Sequence, residues 1–245
     1  TRRQIALHEV DASDLDAFAA LCRAEKPDLC LIETPSNPWL RITDISGAAA
    51  AAHEVGATLV VDSTAASPVL SHPLEHGADI VMHSATKGIN GHSDVLAGSL
   101  ATNDAGAPRW QMIRDDRNEA GAVIGPMEAW LLARGMRTLP LRMREMSRNA
   151  MTLAEFLADH PQVEQVMYPG LPDHPGHALA AQQMSGGYGG LLSFVVKGGA
   201  GAALKAAGRL ELFHRATSLG GVESLVDCRL ILSQTAVANQ GLLCK

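Results

Sequence analysis

The 245-residue sequence has no cluster of lysines and arginines, no long apolar run and no closely spaced cysteine pair. Its 20 basic residues are scattered and outnumbered by 26 acidic ones, giving a formal net charge of -6. That balance favours solubility and argues against a nucleic-acid surface or an anionic membrane as partner. No segment approaches 18 uninterrupted strongly apolar residues, so no transmembrane span is expected. The four cysteines, Cys22, Cys30, Cys228 and Cys244, include no CxxC pairing. They read as thiols of an intracellular, cytoplasmic protein rather than as a disulfide frame or a zinc knuckle. The opening Thr1-Arg2-Arg3-Gln4-Ile5 has neither an initiator methionine nor the apolar core of a signal peptide, so the expectation is a fragment or a processed product. What is present is ordinary for a soluble globular protein: 47 % hydrophobic and 19 % charged residues, enough for one large domain or one domain and part of another.

Helix and strand signals alternate in the first half. Residues 13–24 predict a helix opened by Ser13, with Leu15, Phe18, Ala19 and Cys22 on one face. Leu29 to Ile32 predicts a strand ended by Thr34-Pro35-Ser36-Asn37-Pro38. Asp44 can cap an alanine-rich helix reaching Val55 before Gly56. Strands at 57–61 and 79–83, a short helix near 73–76 between them, and a strand at 95–101 follow. Runs apolar on both faces and separated by helices imply a parallel sheet covered on both sides, whose ligands bind beyond the carboxyl ends of the strands. Helices are expected at 126–134 and 138–159, the second long and amphipathic with Leu141, Met143, Met146, Met151, Leu153 and Leu157, its methionines being core filler rather than ligands. Then come a strand at 163–168, a loop at 169–177, a helix near 178–184, a strand at 191–196 and a helix at 200–208. A domain boundary is placed at 137/138, dividing 1–137 from 138–245. The tail from Asp227 to Lys245 carries no pattern that completes a sheet.

The candidate chemistry sits at two strand ends. Lys87 follows the apolar run Asp79-Ile80-Val81-Met82 and lies between Thr86 and Gly88 in a turn. Only a primary amine forms a Schiff base that a substrate amine can displace, and the released amine can then move protons. Asp62, at the end of Leu59-Val60-Val61, supplies the carboxylate that keeps a pyridine nitrogen protonated. Ser84 and Thr86 offer hydroxyl donors for a phosphate. Together these are the needs of pyridoxal phosphate. Taken singly, each residue has a plainer alternative: a loop lysine, a strand-end aspartate capping a turn through Ser63 and Thr64, and turn hydroxyls. His83, His92, His160, His174 and His177 match no zinc spacing, and no metal is expected. Gly186-Gly187-Tyr188-Gly189-Gly190 reads as a turn into the next strand, not a nucleotide loop. Trp110, Arg114 and Arg117 read as packing and surface charge, with a place near the substrate entrance as the alternative.

Several longer stretches carry a family resemblance: Ile32-Glu33-Thr34-Pro35-Ser36-Asn37-Pro38, Val61-Asp62-Ser63-Thr64, Ala78 to Lys87, and Asn90-Gly91-His92-Ser93-Asp94-Val95. To these are added Arg134-Gly135-Met136-Arg137-Thr138-Leu139, Tyr168-Pro169-Gly170-Leu171, and Ser218-Leu219-Gly220-Gly221-Val222-Glu223-Ser224-Leu225. From residue 5 to about 226 the chain resembles the Cys/Met-metabolism branch of fold-type I pyridoxal phosphate enzymes, which includes cystathionine synthases and lyases, methionine lyases and homoserine-ester sulfhydrylases. The resemblance implies an aspartate-aminotransferase-like three-layer α/β domain with a mostly parallel sheet, followed by part of a smaller α/β domain. It implies Lys87 as the cofactor lysine, Asp62 as its pyridinium partner, and Ser84 and Thr86 at the phosphate. Asn37 is placed at the phenolic oxygen or the substrate carboxylate, and Ser218 and Leu219 in the substrate site.

The expected chemistry is elimination or replacement at the γ (or β) carbon of a sulfur amino acid or homoserine ester, of cystathionine γ-synthase or γ-lyase type. Thr217, where cystathionine-handling members often carry an acidic residue, keeps methionine γ-lyase and O-acylhomoserine sulfhydrylase as alternatives, and Gly88 stands where tyrosine is common. A homodimer or homotetramer is implied. Pieces of the family's site are expected to lie outside this chain: an N-terminal arm and phosphate clasp, a ring-stacking tyrosine that neither Tyr168 nor Tyr188 matches, and a C-terminal arginine for the substrate carboxylate. Each charge-assisted hydrogen bond of such a clamp is worth roughly 1.5–3 kcal/mol. A catalytically silent fragment that only associates with other subunits is therefore the alternative from a different class.

Overall fold

The computed structural model describes residues 5–228 and 242–244; the opening Thr1 to Gln4 and most of the 227–245 tail lie outside the described residues. Along the chain, β1 (Leu7–Glu9) leads to α1 (Leu15–Glu25), β2 (Leu29–Glu33), α2 (Ile45–Glu54), β3 (Thr58–Asp62) and the short α3 (Ser67–Leu70). A 3-10 turn at Pro73–His76 precedes β4 (Ile80–Ser84), β5 (Gly98–Ala101), α4 (Pro108–Ala120), α5 (Pro126–Met136) and the 20-residue α6 (Leu139–Ala158). The second half continues with β6 (Val163–Met167), α7 (His177–Gln183), β7 (Ser193–Val196), α8 (Gly199–Ala207), β8 (His214–Arg215), β9 (Leu225–Val226) and β10 (Leu242–Cys244).

Six strands form one sheet in the order β1-β10-β2-β3-β4-β5. The parallel pairing expected from the sequence occupies its centre, β2-β3-β4. The flanking contacts are antiparallel: β5 on β4, and β10 between β1 and β2. The sheet is thus mixed. β10 also corrects the expectation that the tail adds nothing to a sheet, since Leu242, Leu243 and Cys244 pair with both neighbours. A three-residue strand is too short to leave an alternating signature.

Local chemistry explains the two helices on the sheet. Asp14, not the expected Ser13, caps α1, its carboxylate accepting from Ala17 N at 3.0 Å. Ser13 is turned outward, its amide and hydroxyl both donating to Asp11 Oδ1. A carboxylate caps as well as a hydroxyl and also complements the helix dipole. Asp44 caps α2 in the same way, through Gly47 N at 3.0 Å. The small side chains of Ala48, Ala49, Ala51 and Ala52 are all buried and let α2 approach the strands closely.

Strand alternation then divides the centre of the sheet into two faces. Cys30, Ile32, Leu59 and Val61 are fully buried in the cluster formed with α1 and α2. The Cys22 thiol of α1 meets that of Cys30 at 3.7 Å in this layer. The alternate positions Leu31, Glu33, Asp62, Met82 and Ser84 lie on the opposite face and are half-buried. A second core, holding Leu70, Ala85, Ile89, Leu139, Met143, Ala180 and Met184, packs α3, α6 and α7 around the chain leaving β4. Beyond it, β6 and β7 pair antiparallel, with Tyr168 buried against Ala150 and Ala154 of α6.

Besides the four-residue α3, one longer helix, α4, was not marked by the sequence pattern. It buries no residue, and α5 buries only Gly135. Met127 and Trp130 of α5 are 61 % and 58 % exposed, so this helical pair presents an open apolar face.

Candidate active site

The parallel strands deliver their polar ends to one edge, as the topology of such sheets requires. Asp62 closes β3 beside Glu33, its in-register neighbour on β2. Thr64 links the two strands that carry the site. Its hydroxyl donates to Asp62 Oδ1 at 2.5 Å and accepts from Ser84 N at 2.8 Å, while its amide donates to the same Oδ1 at 2.9 Å. Asp62 is thus held by one oxygen, and among the described residues no hydrogen bond reaches its Oδ2. The Ser84 hydroxyl is likewise without a hydrogen bond among the described residues, and faces the same side of the sheet as Asp62.

After Ser84 the chain makes a helix-like turn, with Lys87 N donating to Ser84 O, Asn90 N to Ala85 O and Gly91 N to Lys87 O. Lys87 projects from this turn and its Nζ donates to Ser218 Oγ at 3.0 Å. Ser218 comes from a distant loop and holds a φ of +133°, a region disfavoured for residues with a Cβ. Gly220 completes the approach: a Cβ there would stand 2.4 Å from Gly88 N and 2.9 Å from the Lys87 carbonyl carbon. Leu219 between them is half-buried. A second tie joins the same loops, Ser93 Oγ donating to Glu223 at 3.1 Å.

Thr86 is more committed than the sequence suggested. Its hydroxyl donates to Ala97 O and accepts from Ala97 N, closing a reciprocal pair. It must turn away from Ala97 O to donate to a phosphate. Asn37 lies on the loop out of β2 at the same sheet edge, with its backbone N–H donating to Glu33 Oε1 at 3.3 Å. Burial, reinforced by the charge of Asp62, raises the Glu33 carboxyl to about 7, against the smaller lowering effect of the Asn37 amide. Glu33 therefore keeps its proton into the neutral range. The turn that Asp62 was expected to cap through Thr64 is present, and it leaves Oδ2 open; Glu33 had no role in the sequence, because its signal is adjacency to Asp62 across the sheet, which a linear pattern does not display.

The histidines do other work. His83 is buried and pushed down by burial, partly offset by a bond to the Ser63 backbone and by Asp62, and its Nδ1 has no partner among the described residues. His92, His160, His174 and His177 hold turns through Asn90 O, Gln162 N, Gly176 N and Pro169 O respectively. Among the described residues no three His, Cys, Asp or Glu side chains are grouped as a metal would need. Tyr168 donates to Gly189 O and Ser147 O, and Tyr188 packs on Tyr168 and His177, so both rings serve the second half. Trp110, Arg114 and Arg117 belong to α4, which buries none of its own residues.

A displaceable primary amine, a carboxylate with one open oxygen and an unpartnered hydroxyl converge on one sheet edge. This donor set fits pyridoxal phosphate: an aldehyde for Lys87, a ring nitrogen for Asp62 and a phosphate for Ser84.

Comparison with known proteins agrees. The chain is 45 % identical over 242 residues to cystathionine gamma-synthase of Mycobacterium tuberculosis, covering 99 % of this chain and 61 % of that protein. It is 46 % identical over 224 residues to L-methionine gamma-lyase of Pseudomonas putida, covering 91 % and 55 %. The crystal structure of cystathionine gamma synthase from Xanthomonas oryzae pv. oryzae in complex with cystathionine superimposes with a TM-score of 0.86 at 44 % identity, covering 96 % of this chain and 62 % of that one. The chain thus spans less than two thirds of the length of these relatives. The family model for Cys/Met metabolism PLP-dependent enzymes matches residues 1–242. With its fold-type I α/β architecture, the chain belongs to the Cys/Met metabolism family of PLP-dependent enzymes.

Proposed function

We propose that the protein of which this chain is part carries out elimination or replacement at the γ (or β) carbon of a sulfur amino acid or homoserine ester, in the manner of a cystathionine γ-synthase or γ-lyase. The observation that carries this reading is the Lys87 amine, held at 3.0 Å by Ser218 Oγ beside the edge where Asp62 and Ser84 keep open valences. When bound, pyridoxal phosphate supplies an electron sink for a carbanion at the substrate α carbon. Lys87 would hold the cofactor through its Nζ and, as a free primary amine beside the substrate, would take and return the proton at the α carbon. Asp62 would keep the ring nitrogen protonated, its Oδ2 being open while Thr64 holds Oδ1 and keeps the carboxylate from turning. Ser84, and Thr86 once its hydroxyl leaves Ala97, would hold the phosphate. Asn37 orients the phenolic oxygen or the substrate carboxylate, and Ser218 with Leu219 lines the substrate site.

The division into a cofactor-binding part at 1–137 and a second part at 138–245 belongs to this reading, as do a cytoplasmic setting and assembly into a homodimer or homotetramer. The exposed apolar side chains of α4 and α5 support such an assembly. Among the described residues no helix is long and apolar enough to cross a membrane. Methionine γ-lyase or O-acylhomoserine sulfhydrylase activity is the neighbouring reading, supported by the similarity to the Pseudomonas lyase. A silent, associating fragment is the reading from another class, supported by coverage of only 61 % of the tuberculosis synthase.

The test is direct. Purified protein given the cofactor should develop a visible absorption band, and borohydride should fix the cofactor on Lys87 in a peptide map. Absence of both defeats the enzymatic reading and leaves the fragment. Product analysis with cystathionine, methionine and O-acylhomoserine plus cysteine then separates the substrate classes.

A further inference from the structure

Arg142 of α6 is half-buried, and among the described residues it has no carboxylate partner. Its guanidinium is spent on backbone carbonyls instead. Nη1 donates to Gly88 O at 2.7 Å, and Nη2 donates to Ile89 O at 3.2 Å and more weakly to Asn90 O at 3.5 Å. Nη2 also donates to Gly135 O at 2.9 Å, and Nε to Thr138 Oγ1 at 3.1 Å. The first three acceptors are the consecutive carbonyls that follow Lys87.

These carbonyls close a helix-like turn whose amides bond backward to Ser84, Ala85 and Lys87. The Gly88 and Ile89 oxygens are orphan acceptors of the kind a helical turn leaves at its carboxyl end, where the backbone dipoles also favour a cation, while Asn90 O is shared with His92 Nδ1 at 2.7 Å. A guanidinium suits the place because its planar fork spreads five donors over acceptors several ångströms apart, whereas the three donors of an ammonium diverge from a single nitrogen. The end of α5 presses on the same turn: a Cβ on Gly135 would lie 2.3 Å from Asn90 O. The junction of α5 and α6 is therefore fitted to the segment from which Lys87 projects.

We propose that Arg142 is a positioning residue for Lys87, fixing the turn 87–91 through its carbonyls so that Nζ stays at the sheet edge with Asp62 and Ser84. It touches neither cofactor nor substrate. The proposal rests on Lys87 being the cofactor lysine.

The test compares wild type with Arg142→Gln, Arg142→Lys and, as a control on the same helix, Arg148→Ala, whose exposed ion pair to Glu145 is remote from the turn. Amide hydrogen exchange of cofactor-free protein should quicken about tenfold or more at 88–91 in Arg142→Gln, while β3 amides keep wild-type rates. In the same variant, the dissociation constant for pyridoxal phosphate should rise about tenfold and borohydride fixation at Lys87 should slow. The pH midpoint of the visible band should move. Arg142→Lys should recover part of each change, and Arg148→Ala should alter none. Unchanged exchange at 88–91, or equal quickening at β3 and the turn, overturns the proposal, the second result marking Arg142 as merely structural. A wild type that fixes no cofactor on Lys87 defeats the functional reading and this role with it. A wild type that fixes it, with a turn indifferent to Arg142→Gln, defeats this proposal alone.

Discussion

Leu59 and Val61 point into the layer beneath α1 and α2 and are fully buried, whereas Asp62, one residue on, points to the other side of the sheet and is half-buried. The same contrast runs across the neighbouring strands, with Cys30 and Ile32 inside while Glu33 and Ser84 face the site. One set of strands thus serves as scaffold on one face and as a chemical surface on the other. Burying the first set gives the second its fixed spacing, because strands packed on one face cannot shift register. Stability and cofactor binding should therefore respond to different residues of the same strand.

The most severe way to challenge this division is on the chemical side. Lys87→Ala should abolish borohydride-fixed cofactor and lower turnover by roughly a thousandfold or more, with little change in the urea midpoint. Covalent cofactor recovered at another lysine would break the assignment. On the scaffold side, Leu59→Ala should cost about 2–5 kcal/mol in denaturant unfolding. Its remaining folded molecules should bind pyridoxal phosphate as wild type does, and a matching fall in affinity would show that the faces are not separable.

Glu33 sits where the two roles meet. Its carboxyl is raised from 4.5 to about 7 by burial and then by the charge of Asp62, so the folded protein holds this proton more tightly than the unfolded chain. The associated stability is complete below about pH 4.5 and is lost as the pH rises through 7. In cofactor-free protein, Glu33→Gln should flatten that decline by roughly 2–3 kcal/mol between pH 4 and pH 8, read from urea curves at each pH. An unaltered slope would show that Glu33 titrates normally. The smallest effect belongs to Ser84→Ala: about a tenfold weaker cofactor by equilibrium titration, with thermal unfolding nearly unmoved. A large thermal loss would place this hydroxyl in the scaffold.

Much of this arrangement was legible in sequence because it is local. The central strands end at or next to the positions expected, and Asp62, Ser84 and Lys87 meet at one edge as their strand-end placement implied. What sequence missed is either short or distributed. Helix α4 carries Arg114, Asp115, Asp116 and Arg117 in succession and buries nothing, so no apolar stripe marks it. Ser13 and Asp14 are adjacent caps, and geometry chose the carboxylate. The tie from Thr86 to Ala97 spans a turn, and the grip of Arg142 on 88–90 spans more than fifty residues; neither has a period or spacing of its own. The antiparallel β5 follows from a chain that turns back after Lys87, although its own residues would suit either direction.

The buried thiol pair of α1 and β2 gives the molecule its own stopwatch. Cys22 and Cys30 are fully enclosed, and burial holds both thiols above their ordinary titration range. Cys228 is partly accessible. In a Cys244→Ser variant, a disulfide reagent added to native protein should modify Cys228 promptly and reach the enclosed pair only when α1 lifts from the sheet. The lag between the two phases then times the opening of the scaffold layer with no label introduced, and its lengthening on adding pyridoxal phosphate would measure how firmly the chemical face closes the structural one.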